Sequence, residues 1–297
     1  MTVDAELPAP VTDLGSRAAP RKGRRLRAFL RNPAFVAGAS ILAFFIMLAL
    51  GADWILPGDP QDMVAQPLLW PGEDFEHFLG TDSLGRDVLA QLVYGTRASL
   101  MVGIISAAIG LAIGMVVGAS AGFFGGWVDS FLMRLVELFQ TTPTFLLVIV
   151  IVSIREPSLG TIALAIGIAG WPTVARLVRA QFRSLRESDF VMAARSLGYS
   201  STRIIVQEIL PNALPPVIVA ASVMIANAIL TEAGLSFLNM RDPNVVSWGG
   251  MIGDGRDQLR VAWFLTALPG AAIALAVLSL NLVGDGLNEI LNPRTEP

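Results

Sequence analysis

Long apolar runs alternate with short polar stretches along almost the whole chain. Six of them approach or exceed the roughly 20 apolar residues that a helix needs to cross a bilayer: 35–52, 98–124, about 134–154, 157–175, 209–231 and 261–284. The first is somewhat short, and the second carries no charge in 27 residues. Runs of this length are too long for strands. Backbone groups in lipid must find their partners within the spanning structure, so the runs predict helices. The expected fold class is an all-α polytopic membrane protein with six transmembrane helices.

The polar stretches predict the orientation. Lysine and arginine favour cytoplasmic loops. With the N-terminus inside, the inner segments 1–34, 124–134, 176–208 and 285–297 hold fifteen basic residues, and the outer segments 53–97, 155–156 and 232–260 hold six. Both termini are therefore expected in the cytoplasm. The first outer loop is acidic, with Asp53, Asp59, Asp62, Glu73, Asp74, Glu76, Asp82 and Asp87. The basic cluster "RKGRRLRAFLR" (21–31) precedes the first span. No small-residue cleavage site follows a short apolar core, so that span is expected to stay uncleaved.

Composition narrows the chemistry. Hydrophobic residues make up 54% of the 297 residues and charged ones only 15%, against about 25% charged in a typical soluble domain. The net charge of −3 speaks neither for nor against nucleic acid, and no nucleic-acid partner is expected. There is no cysteine, one histidine (His77) and one lysine (Lys22). Thiolate chemistry and disulfides are excluded. A Walker A loop needs Gly-Lys followed by Ser or Thr, and Lys22 is followed by Gly23. The chain thus has no P-loop. One histidine also rules out HExxH. No catalytic residue, metal site or cofactor is assigned.

Several features within the spans stand out. Gly110, Gly114, Gly118 and Gly122 recur every four residues, a small-xxx-small spacing that lets another backbone approach closely. The partner is either another helix of this chain or a second transmembrane subunit. Thr141, Thr142, Asn227 and Glu232 are polar groups in or near spans. They are candidates to line a substrate pathway, with polar packing between helices as the alternative. Asp82, Arg86 and Asp87 are read as stabilising the outer loop, through a Gly-Thr-Asp turn, rather than contacting another protein.

The stretch "DFVMAARSLGYSSTRIIVQEILPN" (189–212) lies between the fourth and fifth spans. Asp189 is expected to cap a two-turn helix, and Gly198 to end it in a left-handed conformation. Ser200 and Ser201 can start the next helix. The residues Asp189, Met192, Ala193, Ala194, Arg195, Ser196, Leu197 and Gly198 would then form a small-residue knob below the membrane. The alternative is an ordinary basic loop.

In this stretch "AARSLG" followed by "ILP" resembles the EAA loop of ABC importer permeases. Ala193, Ala194, Gly198, Leu210 and Pro211 match the pattern. Met192 stands where the family has glutamate, and Glu208 where it has isoleucine. "FLGTDSLGRDVLAQLVYGTRASL" (78–100), "GGWVDSFLMRLVELFQTTPTFLL" (125–147), "EAGLSFLNMRDPNVVSWGGMI" (232–252) and "NLVGDGLNEILNP" (281–293) resemble the second permease subunit of dipeptide, oligopeptide and nickel importers, the DppC/OppC-like branch. The segment "NMRDPN" (239–244) departs from the Gly-x-x-x-Pro-Pro that family members often carry.

The resemblance implies the type I ABC importer permease fold. It divides the chain into a basic segment 1–34, a first helix 35–56, an extracytoplasmic loop 57–97, a five-helix core 98–284 and a tail 285–297. The core would contain the EAA-type cytoplasmic loop 176–212 and an extracytoplasmic loop 232–260. Implied partners are a homologous second permease, two cytoplasmic ATPases that bind ATP and Mg, and an extracytoplasmic substrate-binding protein. The implied setting is the bacterial plasma membrane, and the implied cargo is di- or oligopeptide. Glutathione or a nickel chelate is the alternative cargo, and a stand-alone transporter or channel the alternative class.

Overall fold

The computed structural model describes residues 32–291. The basic cluster 21–31 and the last residues of the tail, 292–297, lie outside the described residues. The elements in order are α1 (Pro33–Ile55), α2 (Val88–Phe124), α3 (Gly126–Gln140), α4 (Thr144–Ser153), α5 (Leu159–Arg186), α6 (Asp189–Ser196), α7 (Ser201–Phe237), α8 (Trp248–Gly255) and α9 (Phe264–Leu291). No strand occurs among them, only two isolated bridges.

Among the described residues, five helices are long and apolar enough to cross a membrane: α1, α2, α5, α7 and α9. The sixth expected span, 134–154, is not one straight helix. It is α3 and α4, bent by 80° at residues 141–143. Pro143 has no N–H for the helix ladder and its ring clashes with the turn before it, so the helix stops and restarts. Other boundaries also moved. Helix α2 begins within the expected outer loop, and α5 runs on to Arg186, well into the expected cytoplasmic loop. Hydropathy marks where lipid ends, whereas helices continue into water wherever polar residues and caps support them.

Helix α7 passes through Pro211, Pro215 and Pro216 without stopping. Just upstream, Ile204–Ile209 is wound as π-helix. The Leu210 N–H reaches back to the Ile205 carbonyl, and the Asn212 side chain donates to the Glu208 carbonyl at 2.7 Å. The wider turn re-pairs the backbone, and the amide side chain supplies a carbonyl with a donor next to a proline that has none to give.

The largest helix–helix contact joins α2 and α5, with α7 against both. Helix α9 packs on α1 and α7. At one end of the bundle, Trp248 of α8 is fully buried. Its indole N–H donates to the Leu92 carbonyl at 3.0 Å, and its ring meets Phe45 edge-on.

The segment before α2 is folded by its own polar side chains. Thr81 is fully buried, donating to the Gln66 carbonyl and accepting from the Leu69 N–H. Asp82 accepts from the Leu84 and Arg86 N–H groups and from the Gln91 amide. Asp87 caps α2 through the Leu89 N–H at 2.7 Å, and His77 lies 3.3 Å from its other oxygen. The loop-stabilising reading of Asp82 and Asp87 is what the geometry shows. Asp87→Ala should lower stability by about 1 kcal/mol. The purified protein in detergent should then melt roughly 2 °C lower, and an unchanged midpoint would dismiss the cap.

Candidate functional site

Helix α6 sits at the opposite end of the bundle from α8, between α5 and α7. Ser188, not Asp189, occupies its N-cap position, and the Ser188 hydroxyl donates to the Leu185 carbonyl instead of capping. Asp189 is the first helical residue, where its charge favours the positive end of the helix. Gly198 has φ +78, and the Tyr199 N–H returns to the Ala194 carbonyl. A residue with a Cβ would be strained there, so glycine ends α6 and turns the chain into α7. Ser200 then caps α7 through the Arg203 N–H.

The two alanines part company. Ala194 is buried, with Val191, among Phe123, Val178, Phe182, Ile204 and Ile209. Ala193 is exposed, as are Asp189, Met192, Arg195, Ser196, Leu197 and Gly198. Seven of the eight residues singled out in the sequence therefore share the outward surface, and Ala194 does not. Phe190 belongs to it as well, at 40% exposed, beside Met192 at 51% and Leu197 at 72%. Large exposed apolar groups in a polar segment were the available signal for Phe190.

The base under α6 is cross-linked by arginines. Arg179 of α5 makes a two-pronged bond to Asp129 of α3, Nε to Oδ1 and Nη2 to Oδ2. Arg186 donates to the Phe123 carbonyl at the end of α2 at 3.0 Å. The Arg195 guanidinium lies 5.8 Å from the Phe123 ring centre. A two-pronged arginine–carboxylate pair holds orientation as well as distance, and with the Arg186 bond it ties the ends of α2, α3 and α5 together beneath α6.

A cavity of about 720 Å³ opens between α2, α4, α5 and α7. Its wall is mostly apolar and holds no charged residue; the polar side chains on it are Ser106, Thr144, Thr173, Asn227 and Thr231. Thr173 lies near the middle of α5, and Asn227 ten residues before the end of α7. Neither side chain makes a hydrogen bond among the described residues, which leaves both available to a solute. Of the four pathway candidates, only Asn227 is on this wall. Thr141 and Thr142 stand in the break before α4, one turn short of Thr144. Glu232 is 2% exposed, and its Oε1 accepts from Ser236 one turn along α7 and from Ser247 at the start of α8. Thr173, missed in the sequence, is signalled there only by a hydroxyl beside Pro172 in mid-span.

The family model described as "Binding-protein-dependent transport system inner membrane component" matches residues 110–297. That stretch holds α5, α6, α7 and the cavity lining other than Ser106 and Ala107 of α2. The chain belongs to this family. A second model, the "N-terminal TM domain of oligopeptide transport permease C", matches residues 23–71 of this permease.

The permease is 36% identical over 274 residues to the Di/tripeptide transport system permease protein DppC of Pseudomonas aeruginosa, covering 90% of each chain. It is 40% identical over 272 residues to the dipeptide transport system permease protein DppC of Escherichia coli, covering 90% of this chain and 91% of that one. With the glutathione transport system permease protein GsiD of Pectobacterium atrosepticum it shares 35% over 269 residues, 90% of this chain and 89% of that one. Among solved structures, an inward-facing form of the MetNI methionine ABC transporter matches with a TM-score of 0.56 at 18% identity, over 70% of this chain and 98% of that one. The fold is that of ABC importer permeases, and the chain is a multi-pass membrane component of such a system rather than an enzyme.

In this permease the glycine stripe of α2 faces α5. A Cβ on Gly114 would lie 2.6 Å from that of Val174, and one on Gly122 would lie 2.7 Å from the Arg179 carbonyl oxygen. At Gly118 it would collide with the Ala175 carbonyl. Gly110 meets Met224 of α7 and the Gly167 carbonyl. The stripe therefore serves packing within the subunit, and it forms the floor on which the cavity and α6 are mounted.

Proposed function

We propose that this chain is one of two transmembrane subunits of an ATP-driven importer that carries di- or oligopeptides across the bacterial plasma membrane. Its partners in this reading are a homologous permease, two cytoplasmic ATPases that hold ATP and Mg, and an extracytoplasmic binding protein. The observation that carries the reading is the outward face of α6, apolar at Phe190, Met192 and Leu197, set on a block clamped by Arg179 and Arg186. The lysine and arginine balance of the loops supports a cytoplasmic α6 and cytoplasmic termini, the side on which the ATPases would work. The relatives named for dipeptide transport support the cargo.

The mechanism follows from the connections. Closure of the ATPase pair moves α6, and the Arg179–Asp129 and Arg186–Phe123 bonds pass that motion to α2, α3 and α5. The π-helical turn at Ile204–Ile209 is the joint between α6 and the long arm of α7, since its looser bonding bends more readily than α-helix. The cavity walls on α5 and α7 then move relative to each other. Such a cycle needs α6 held in both states, because a ligand shifts an equilibrium only by its differential affinity. The cavity's hydroxyls and the Asn227 amide can meet peptide N–H and C=O groups without trapping the solute on a charge. A relative named for glutathione supports that tripeptide as the second reading.

The test is reconstitution. The complex isolated from native membranes should contain a second permease and ATPases. In liposomes it should take up labelled Ala-Ala only with ATP on the ATPase side and binding protein on the other. Uptake by this chain alone would end the proposal, and uptake of glutathione with exclusion of Ala-Ala would replace the cargo.

A further inference from the structure

At the end of the bundle opposite α6, a second, polar pocket of about 250 Å³ opens between the segment before α2 and the segment around α8. Two arginines line it, Arg86 and Arg241, with one carboxylate, Asp254, and two neutral amides, Gln61 and Gln91. Arg241 is spoken for, its Nη2 donating to Asp254 Oδ1 at 2.7 Å. Arg86 is not. Its side chain has no hydrogen bond or ion pair among the described residues, and its Nε is buried without a partner.

A buried donor left unsatisfied is destabilising, and more so when it is charged. The surroundings do nothing to relieve it. Asp82, the carboxylate behind this wall, already accepts from the N–H groups of Leu84 and Arg86 and from Gln91. The backbone of Arg86 is fixed by the same aspartate and by a bridge to Met63. Gly85 beside it has φ +80, and a Cβ there would strike the Ala65 carbonyl. The base of the side chain is therefore fixed at the wall of a pocket whose lining carries one positive charge in excess, inside a loop that is otherwise acidic.

We propose that the Arg86–Arg241 pocket is a carboxylate-binding site. A planar guanidinium with free N–H groups matches a carboxylate in a two-pronged pair. The volume falls just under the roughly 300–1,000 Å³ of pockets that enclose whole ligands, so it takes the carboxylate-bearing end of something larger. A neighbouring groove of about 390 Å³ shares Gln61, Val245 and Val246 with the pocket and receives the remainder of that ligand. The carboxylate comes either from a free peptide's C-terminus or from an acidic side chain of the binding protein. The site rests on the importer reading in placing this end of the bundle outside the cell and in naming these two sources.

The experiment uses the whole complex in lipid nanodiscs, with two probes: Ala-Ala against its C-terminal amide, and the purified substrate-binding protein at several salt concentrations. Arg86→Gln should weaken one probe about tenfold or more, the loss of a charge-assisted pair, and Arg86→Lys should restore part of it. Asp254→Asn, which frees Arg241, should tighten the same probe. Loss of Ala-Ala but not Ala-Ala-amide binding assigns the site to the free peptide. Loss of binding-protein affinity with a flattened salt dependence assigns it to the docked protein. If Arg86→Gln and Asp254→Asn leave both probes within twofold while the complex keeps its subunits, the site is wrong. A wild-type complex that imports normally in that case leaves the importer reading intact.

Discussion

Ala193→Glu should leave the chain in the membrane at its normal level and abolish import. Residue 193 is exposed on α6, between Met192 and the Arg195 side of the helix, so a glutamate there disturbs no contact within the subunit. In the assembled transporter the same position would be pressed against an ATPase groove. Burying an unpaired carboxylate in an interface costs several kcal/mol, and about 3 kcal/mol already means more than a hundredfold in affinity. The ATPases should fail to co-purify, and ATP-dependent uptake of labelled Ala-Ala should fall to background. Ala194→Glu makes the contrast. That side chain points among Phe123, Val178 and Phe182, so the subunit itself should misfold and disappear from the membrane. Normal uptake by the residue 193 variant would remove α6 as the docking element. Equal membrane levels and equal defects in the two variants would contradict the orientation of the helix.

Gly118→Leu is expected to destroy the subunit rather than its coupling. A side chain there would meet the Ala175 carbonyl, with Val178 Cβ 2.8 Å away. Both belong to α5, whose backbone cannot yield without opening the contacts at Gly114 and Gly122. Overpacking costs typically 1–3 kcal/mol and more where backbone blocks relaxation, so about 3 kcal/mol is expected here. That is a large share of the 5–15 kcal/mol by which proteins are usually stable. Gly270→Ala is the control, since nothing lies within 4 Å of its would-be Cβ. It should change stability by less than about 1 kcal/mol. Thermal unfolding of the two purified variants, read by size-exclusion chromatography after heating, separates these outcomes. Equal melting would refute close α2–α5 packing.

Membrane spanning and the approximate position of five of the six expected spans were legible in the sequence, because lipid leaves the backbone no other option and hydropathy records that constraint residue by residue. The end of α6 was legible for the same kind of local reason: Gly198 turns left-handed because it alone has no Cβ to strain. The Asp82–Asp87 turn could be read as loop chemistry from its residues. Tertiary structure alone decided the rest. Ala193 and Ala194 are identical in the sequence, and only the packing of α6 on α5 sends one outward and one into the core. Glu232 and Asn227 both read as polar residues late in one span, yet they lie on different faces of α7. One is bound to the serines around α8, while the other stands on the cavity wall beside Thr173. The Arg86 pocket joins residues more than 150 positions apart. Local propensity and hydropathy act over a few neighbouring residues, whereas which face of a helix meets which partner depends on how every helix in the bundle packs at once.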